Sequence, residues 1–358
     1  MAGFHAVDLL AAAFSGVMEH SGVSVDSIDH VVVGCAVPVG EQSLNVARNA
    51  ALAAGWSQRI SAHTVDAQGA SGIVAFHEAV ARVQAGMARV CLVGAVASTR
   101  VPDGASTGVA VGKPFGPAVH DRFADDGGLR SPGAVAEALA ADHQLDRAAL
   151  DSYAQMSAER TRQSTDAGQK KPYLLEIRDR KKIPTVVAED ERRRKRDVTK
   201  LKPIFEKDGL LTAATYALPV SGAVAILVAH PDAVRHHASP IAEVVGCVTA
   251  GTNVLKGSSG ADVARRVIGR TSPSRLHIDV HEDTAVTPLA FATEFGCAFE
   301  DVNLDGGALA TGDAFGVSAL ASVVHRVHHL DEQRPFGLVV SAGTEAVSTA
   351  TLVKLHTL

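Results

Sequence analysis

Aromatic residues are scarce: they make up 4% of the 358 residues, with one tryptophan and three tyrosines. A core built under that limit rests on Ala, Val, Leu and Ile, and with 46% hydrophobic and 20% charged residues the balance is globular rather than disordered. Cysteine is scarce too. Cys35, Cys91, Cys247 and Cys297 are widely spaced and form no Cys-x-x-Cys pair, so they indicate neither a metal site nor a disulfide framework, and a reducing cytoplasm is the expected setting. No apolar run reaches the roughly 18 to 20 residues of a spanning helix, and the N-terminus lacks a basic region followed by a short apolar core. A soluble chain without a membrane span is expected. A net charge of -5 gives no reason to expect nucleic acid.

What is present is a regular alternation. Apolar runs rich in β-branched residues at 29–33 (DHVVV), 89–93 (RVCLV) and 336–340 (FGLVV) predict strands buried on both faces. Ala-rich stretches at 7–20, 43–54 and 72–86 carry apolar residues at spacings of three and four, which predicts helices covering a largely parallel sheet. The segment GIVAFHEAVARV from Gly72 matches GVSALASVVHRV from Gly316, with Arg82-Val83 and Arg326-Val327 at the same distance from each glycine and a buried strand after both. Two duplicated α/β halves are the economical reading.

Between the halves the character changes. Residues 104–210 hold Gly, Pro and Asp clusters, a charged helix around 147–167 and the run Arg192-Arg193-Arg194-Lys195-Arg196, which together read as an inserted, solvent-facing loop domain. The basic run is either a solvated face or a seat for the phosphates of a nucleotide-like ligand, because clustered guanidinium groups offer paired donors to phosphate oxygens. The expected divisions are 1–103 for the first half, 104–210 for the loop domain, 211–238 for the end of the first half and 239–358 for the second half.

Several blocks in register carry a resemblance. GEQSLNVARNAALAAGW from Gly40, HTVDAQGASGIVAFHEA from His63, GAVASTRVP from Gly94, EDERRRKRDVTKLKPIFEKDGLLTA from Glu189, NLDGGALATGDAFG from Asn303 and SAGTEA from Ser341 resemble, in order, the thiolase family. The resemblance implies a five-layered αβαβα fold with a loop domain over coenzyme A, and β-ketoacyl-CoA cleavage or formation through an acylated cysteine. It also implies a Gly-His-Pro histidine that activates the cysteine, a second cysteine that moves a proton, and an asparagine that holds an oxyanion water.

Carried over residue by residue, those roles fall on unsuited residues. The nucleophile position is Gly69, between matching Gln68 and Ser71; the Gly-His-Pro block reads Gly312-Asp313-Ala314; the asparagine block reads His281-Glu282-Asp283-Thr284; the second cysteine is Ser341. On the ligand side the resemblance sets Phe205, Ala213 and Ala217 against coenzyme A, with Arg192 and Arg193 as phosphate donors, although Thr215 and Ala217 replace the usual asparagine and serine. Thiolysis through an acyl-enzyme has no route without its thiol. The leading expectation is therefore a catalytically degenerate homologue that requires no cofactor and either binds coenzyme A or acyl-CoA or supports a partner subunit of acyl-CoA metabolism. An active enzyme of hydrolase or aldol type using His281, Asp313 and Ser341 is the alternative, since those are the residue types of a nucleophilic triad. A conventional acyltransferase ranks third.

Two further expectations follow from the resemblance. A homodimer is implied, because the strand before the nucleophile loop pairs across a two-fold axis in the family and residues 63–67 keep its pattern. The family's first strand, ahead of the helix at 7–14, has no counterpart; placed inside the sheet, its absence would leave a central slot empty, through a start set too late or through decay.

Overall fold

Runs of β-branched residues become the inner strands, and the Ala-rich stretches become the helices against them. The computed structural model describes residues 3–101, 115–178, 186–187, 198–234, 241–344 and 347–356. The first half runs α1 (Ala6–Ser21), β1 (His30–Gly34), α2 (Val46–Ala53), β2 (Ser61–Val65), α3 (Ser71–Gln84) and β3 (Val90–Ala97). The insertion carries α4 (Pro117–Arg122), α5 (Pro132–Asp142), α6 (Arg147–Asp166) and the short pair β4 (Ile177–Arg178) and β5 (Val186–Val187). The chain then returns through β6 (Gly222–Ala229) and α7 (Pro231–Val234). The second half runs β7 (Ala242–Gly251), α8 (Ala261–Ile268), β8 (Leu276–Val280), α9 (Val286–Phe295), α10 (Ala308–Thr311), α11 (Ser318–Val327), β9 (Phe336–Ser341) and β10 (Val347–Leu355).

Each half holds a four-stranded sheet, in the orders β2-β1-β3-β6 and β7-β10-β9-β8. The sheets are mixed rather than largely parallel. β1 is parallel to β2 and β3, and β8 to β9, but β6 and β10 pair antiparallel with their neighbours. The reason is local: β10 follows β9 after a short connection, which permits an antiparallel return only. From outside to outside the layers are α1 with α2, the first sheet, α3 with α11, the second sheet, and α8 with α9.

The repeated segments are the central layer. Gly72 and Gly316 meet there: the Gly72 N–H donates to the Gly316 carbonyl at 2.9 Å, and a Cβ on Gly72 would lie 2.5 Å from that oxygen. Only glycine permits such an approach.

The sequence placed the absent first strand inside the sheet, and the observed topology corrects this. β3 is paired on both sides, so no interior slot is empty; among the described residues the outer edges of β2 and β6 are the unpaired ones in this sheet. In the second half the matching edge, that of β10, is covered by β7, the strand immediately ahead of α8.

His77 on α3 ties the layers together, with Nδ1 at 2.9 Å from the Thr249 hydroxyl and Nε2 at 2.8 Å from that of Thr351. Burial lowers its pKa from 6.5 to about 4, so an unfolded chain takes up this proton first as the pH falls. Its contribution is complete above pH 6.5 and declines as the pH drops from 6.5 to about 4. Chemical denaturation across this window is expected to lose up to roughly 3 kcal/mol through His77, and His77→Gln to remove that part of the slope.

Candidate functional site

The site is assembled where three chain segments touch. Past Val280 the second sheet continues for one more rung, with the His281 N–H donating to the Val340 carbonyl at 2.8 Å. Val280 sits opposite Val340 in parallel register, so the side chains of His281 and Ser341 emerge on one face. A linking stretch at 216–220 brings in the third segment: the Ala217 N–H donates to the Asp283 carbonyl, the Asp313 N–H to that of Leu218 at 2.8 Å, and the Val220 N–H to that of Asp313 at 2.9 Å. This sets the His281 Nε2 3.5 Å from an Asp313 carboxylate oxygen, with His281 5% exposed. Burial drives the Asp313 carboxyl upward, but the facing His281 and the Ser318 hydroxyl outweigh it and hold it below the usual range.

The remaining triad candidate is not engaged. Ser341 is fully buried, and its hydroxyl has no hydrogen-bond partner. The His281–Asp313 separation also exceeds the roughly 2.6–3.2 Å reach of direct proton transfer. A cavity of about 1250 Å³ is lined by His281 and Glu282 and extends along β6, whereas Gly69, Asp313 and Ser341 are not on its wall.

Gly69 lies buried in the turn between β2 and α3. Gln68 before it is left-handed at φ 55°, and the turn is locked by Ser71, whose hydroxyl accepts from the Ala67 N–H at 2.9 Å and donates to the Gln68 carbonyl at 2.5 Å. Position 69 therefore precedes a helix N-terminus, where amide dipoles favour an anion. Asp313 stands to Gly316 as Gly69 does to Gly72, so the two loops are related by the internal repeat.

Sequence reading missed the residues that hold this frame. Glu282, 1% exposed, accepts from the Tyr153 hydroxyl at 2.9 Å, the Ser157 hydroxyl at 2.8 Å, Asn303 Nδ2 at 3.1 Å and the Leu309 N–H at 3.0 Å. Burial and the Glu282 carboxylate push the Tyr153 phenol well above its ordinary pKa, so it remains a donor. Asp283 accepts from the Thr287 hydroxyl at 2.5 Å, the Thr284 N–H at 2.7 Å and the Thr344 N–H at 3.1 Å, which fixes the loop after Ser341. Their one sequence signal was four polar residues at 281–284 ahead of a largely apolar helix.

On the ligand side, Phe205 is exposed and stands edge-on to Tyr216 at 5.0 Å, Ala213 is half-buried and Ala217 is buried. Arg192 and Arg193 lie outside the described residues. Among the described residues no cluster of three or more His, Cys, Asp or Glu could hold a metal ion.

The family model for the thiolase N-terminal domain matches residues 1–232. The chain belongs to the thiolase family. It is 30% identical to a β-ketoadipyl-CoA thiolase of Pseudomonas putida, over 93% of this chain and 89% of that one, and 27% identical to an acetyl-CoA acetyltransferase of Pseudomonas aeruginosa, over 97% and 93%. Its fold matches the crystal structure of human mitochondrial 3-ketoacyl-CoA thiolase in complex with CoA, with a TM-score of 0.86 at 23% identity over 99% of this chain and 93% of that one. In a thiolase-family chain the state of each thiol matters. Burial raises Cys35 and Cys91 to about 11 and Cys247 to about 12, and raises Cys297 as well, so all four are protonated at neutral pH and poor nucleophiles.

Removing the Glu282 carboxylate strips four donors of an acceptor, at about 1–3 kcal/mol for each one left unpaired. Glu282→Ala is expected to cost at least ~3 kcal/mol in urea denaturation, and Tyr153→Phe only about 1 kcal/mol, because the carboxylate keeps its other donors.

Proposed function

We propose that this thiolase-family chain is catalytically degenerate, and that it binds coenzyme A thioesters or supports a partner enzyme of acyl-CoA metabolism without forming an acyl-enzyme. Gly69 carries this reading. A glycine in a buried turn ahead of α3 offers no atom to acylate, while the helix N-terminus behind it still suits the partial negative charge of a thioester oxygen. Coenzyme A is the proposed ligand class because the human mitochondrial 3-ketoacyl-CoA thiolase, of the same fold, is known in complex with CoA. Residues of the chain then bind and orient, and no covalent step is assigned to them.

A hydrolase reading draws support from the approach of His281 to Asp313 and is opposed by the unpartnered Ser341 hydroxyl. Calorimetric titration with acetoacetyl-CoA, alongside an assay of its consumption, separates the readings. Saturable binding without turnover is expected, unchanged in Ser341→Ala, and Gly69→Cys should not gain thiolysis because position 313 is aspartate and position 341 serine. Release of free acid that Ser341→Ala abolishes would establish the hydrolase. Neither binding nor turnover would leave the supporting role alone.

We further propose a homodimer formed through β2, an edge strand of the first sheet with no partner on its outer side among the described residues. Light scattering at micromolar concentration is expected to give twice the mass of the 358-residue chain, and the mass of a single chain would refute the dimer.

A further inference from the structure

Along the face that the first sheet turns toward α3, four titratable side chains form one row. Arg82 reaches the Glu78 carboxylate with Nε at 3.0 Å and a terminal nitrogen at 2.9 Å, His63 Nε2 lies 2.9 Å from the same carboxylate, and His63 Nδ1 lies 2.7 Å from His30 Nε2. His63 is the middle residue of β2, and the side chains of His63 and Glu78 are 32% and 33% exposed, so the row is open at the edge of the sheet. Little other charge faces it. Cys91, opposite His30 in the β1–β3 register, is a buried thiol raised to about 11 and therefore neutral. Asp29 is taken up by the Arg89 and Val90 amides at 2.7 and 3.0 Å, and Arg48 of α2 donates to the carbonyls of Gln58 and Ile60 ahead of β2.

The proton positions follow from Glu78. Burial raises this carboxyl, but His63 and Arg82 outweigh it and hold it below its ordinary range, so it stays ionised and only accepts. A neutral His63 therefore carries its proton on Nε2, and His30 donates to its bare Nδ1. One added proton makes both His63 nitrogens donors and forces His30 to become the acceptor. A second would set two N–H groups against each other across 2.7 Å. The row holds one carboxylate, already balanced by Arg82, so each added proton is net charge. Arg326, the matching residue of the repeat, instead meets two carboxylates, Asp279 and Asp305.

Pairing through β2 would double the row. A two-fold antiparallel pairing of this five-residue strand with itself centres on His63, and opposed residues of such a pair share a face with Cβ atoms about 4.5–5.5 Å apart. His63 then stands opposite its own copy, and the two rows meet in one seam.

We propose that the β2 edge is a proton-gated interface whose partner is a second copy of this chain, accepted while His30 and His63 are neutral and released when they take up protons. The inference rests on the homodimer proposed above. Burial, Arg82 and His63 hold the His30 pKa below its ordinary 6.5, against the pull of Glu78. A pKa depressed in the folded state contributes stability that is complete above 6.5 and is lost as the pH falls below it. Covering the row in a dimer adds burial in the same direction, so separated chains bind protons more readily and acid favours them.

Light scattering over a dilution series reads the dimer Kd directly. It should rise at least tenfold between about pH 7.5 and about pH 5, with about one proton taken up per chain and the circular dichroism unchanged. His63→Gln keeps an amide for Glu78 but does not titrate, and it should dimerise at both pH values with most of the dependence gone. Glu78→Gln leaves Arg82 unbalanced and should raise the Kd at least tenfold already at about pH 7.5. A wild-type Kd equal at both pH values would overturn the gate and leave the dimer standing, whether or not the variants fold. The mass of a single chain at about pH 7.5 would overturn dimer and gate together. A pH dependence kept in full by both His63→Gln and His30→Gln would assign the titration to another group and sink the proposal.

Discussion

The contact on which the rest depends is between two backbones. The Gly72 amide meets the Gly316 carbonyl in the central layer, closer than any side chain would allow, and this brings the N-termini of α3 and α11 together. The loops ahead of those helices carry Gly69 and Asp313, so one close approach fixes the separation of two of the loops that make the site. Any side chain at Gly72 would push the halves apart and displace both loops at once.

Around that contact the buried carboxylates of Glu282 and Asp283 act as fasteners. Glu282 ties α6 of the insertion to α10 and, through Asn303, to the strand end at Val280, and Asp283 ties Thr287 of α9 to the loop after Ser341. Such carboxylates are tolerated in the interior because nearly every lone pair is met by a donor. Their removal would disorder His281 and Ser341 indirectly.

Much of the fold was legible in the sequence. Continuous β-branched runs announced β1, β3 and β9, spacings of three and four announced α1, α2 and α3, and the charged stretch around 147–167 announced α6, with ends displaced by a few residues. The repeat around Gly72 and Gly316 was visible, but their direct contact was not, because sequence similarity says nothing about which copies touch. The antiparallel pairings of β6 and β10 were missed because an apolar run has no direction written in it. The partners of Glu282 escaped notice for another reason: Tyr153 and Ser157 lie far away along the chain and obey no period. His281 and Asp313 were placed by resemblance alone, and their approach became visible only in three dimensions.

The connection from β3 to β6 shapes how the chain comes into being. Ala97 pairs with Gly222, so the first sheet closes across an insertion of more than a hundred residues. At ~5–20 residues per second, a ribosome emits that insertion over on the order of ten seconds. Throughout that interval β3 has β1 on one side and nothing on the other, although all of its residues end up buried. The nascent first half thus passes through a state with a long, flat, apolar edge, the kind of surface that recruits chaperones or stray strands. The time spent there is set by the length of the insertion, so the segment between β3 and β6 also determines how long the growing chain is exposed to misassembly.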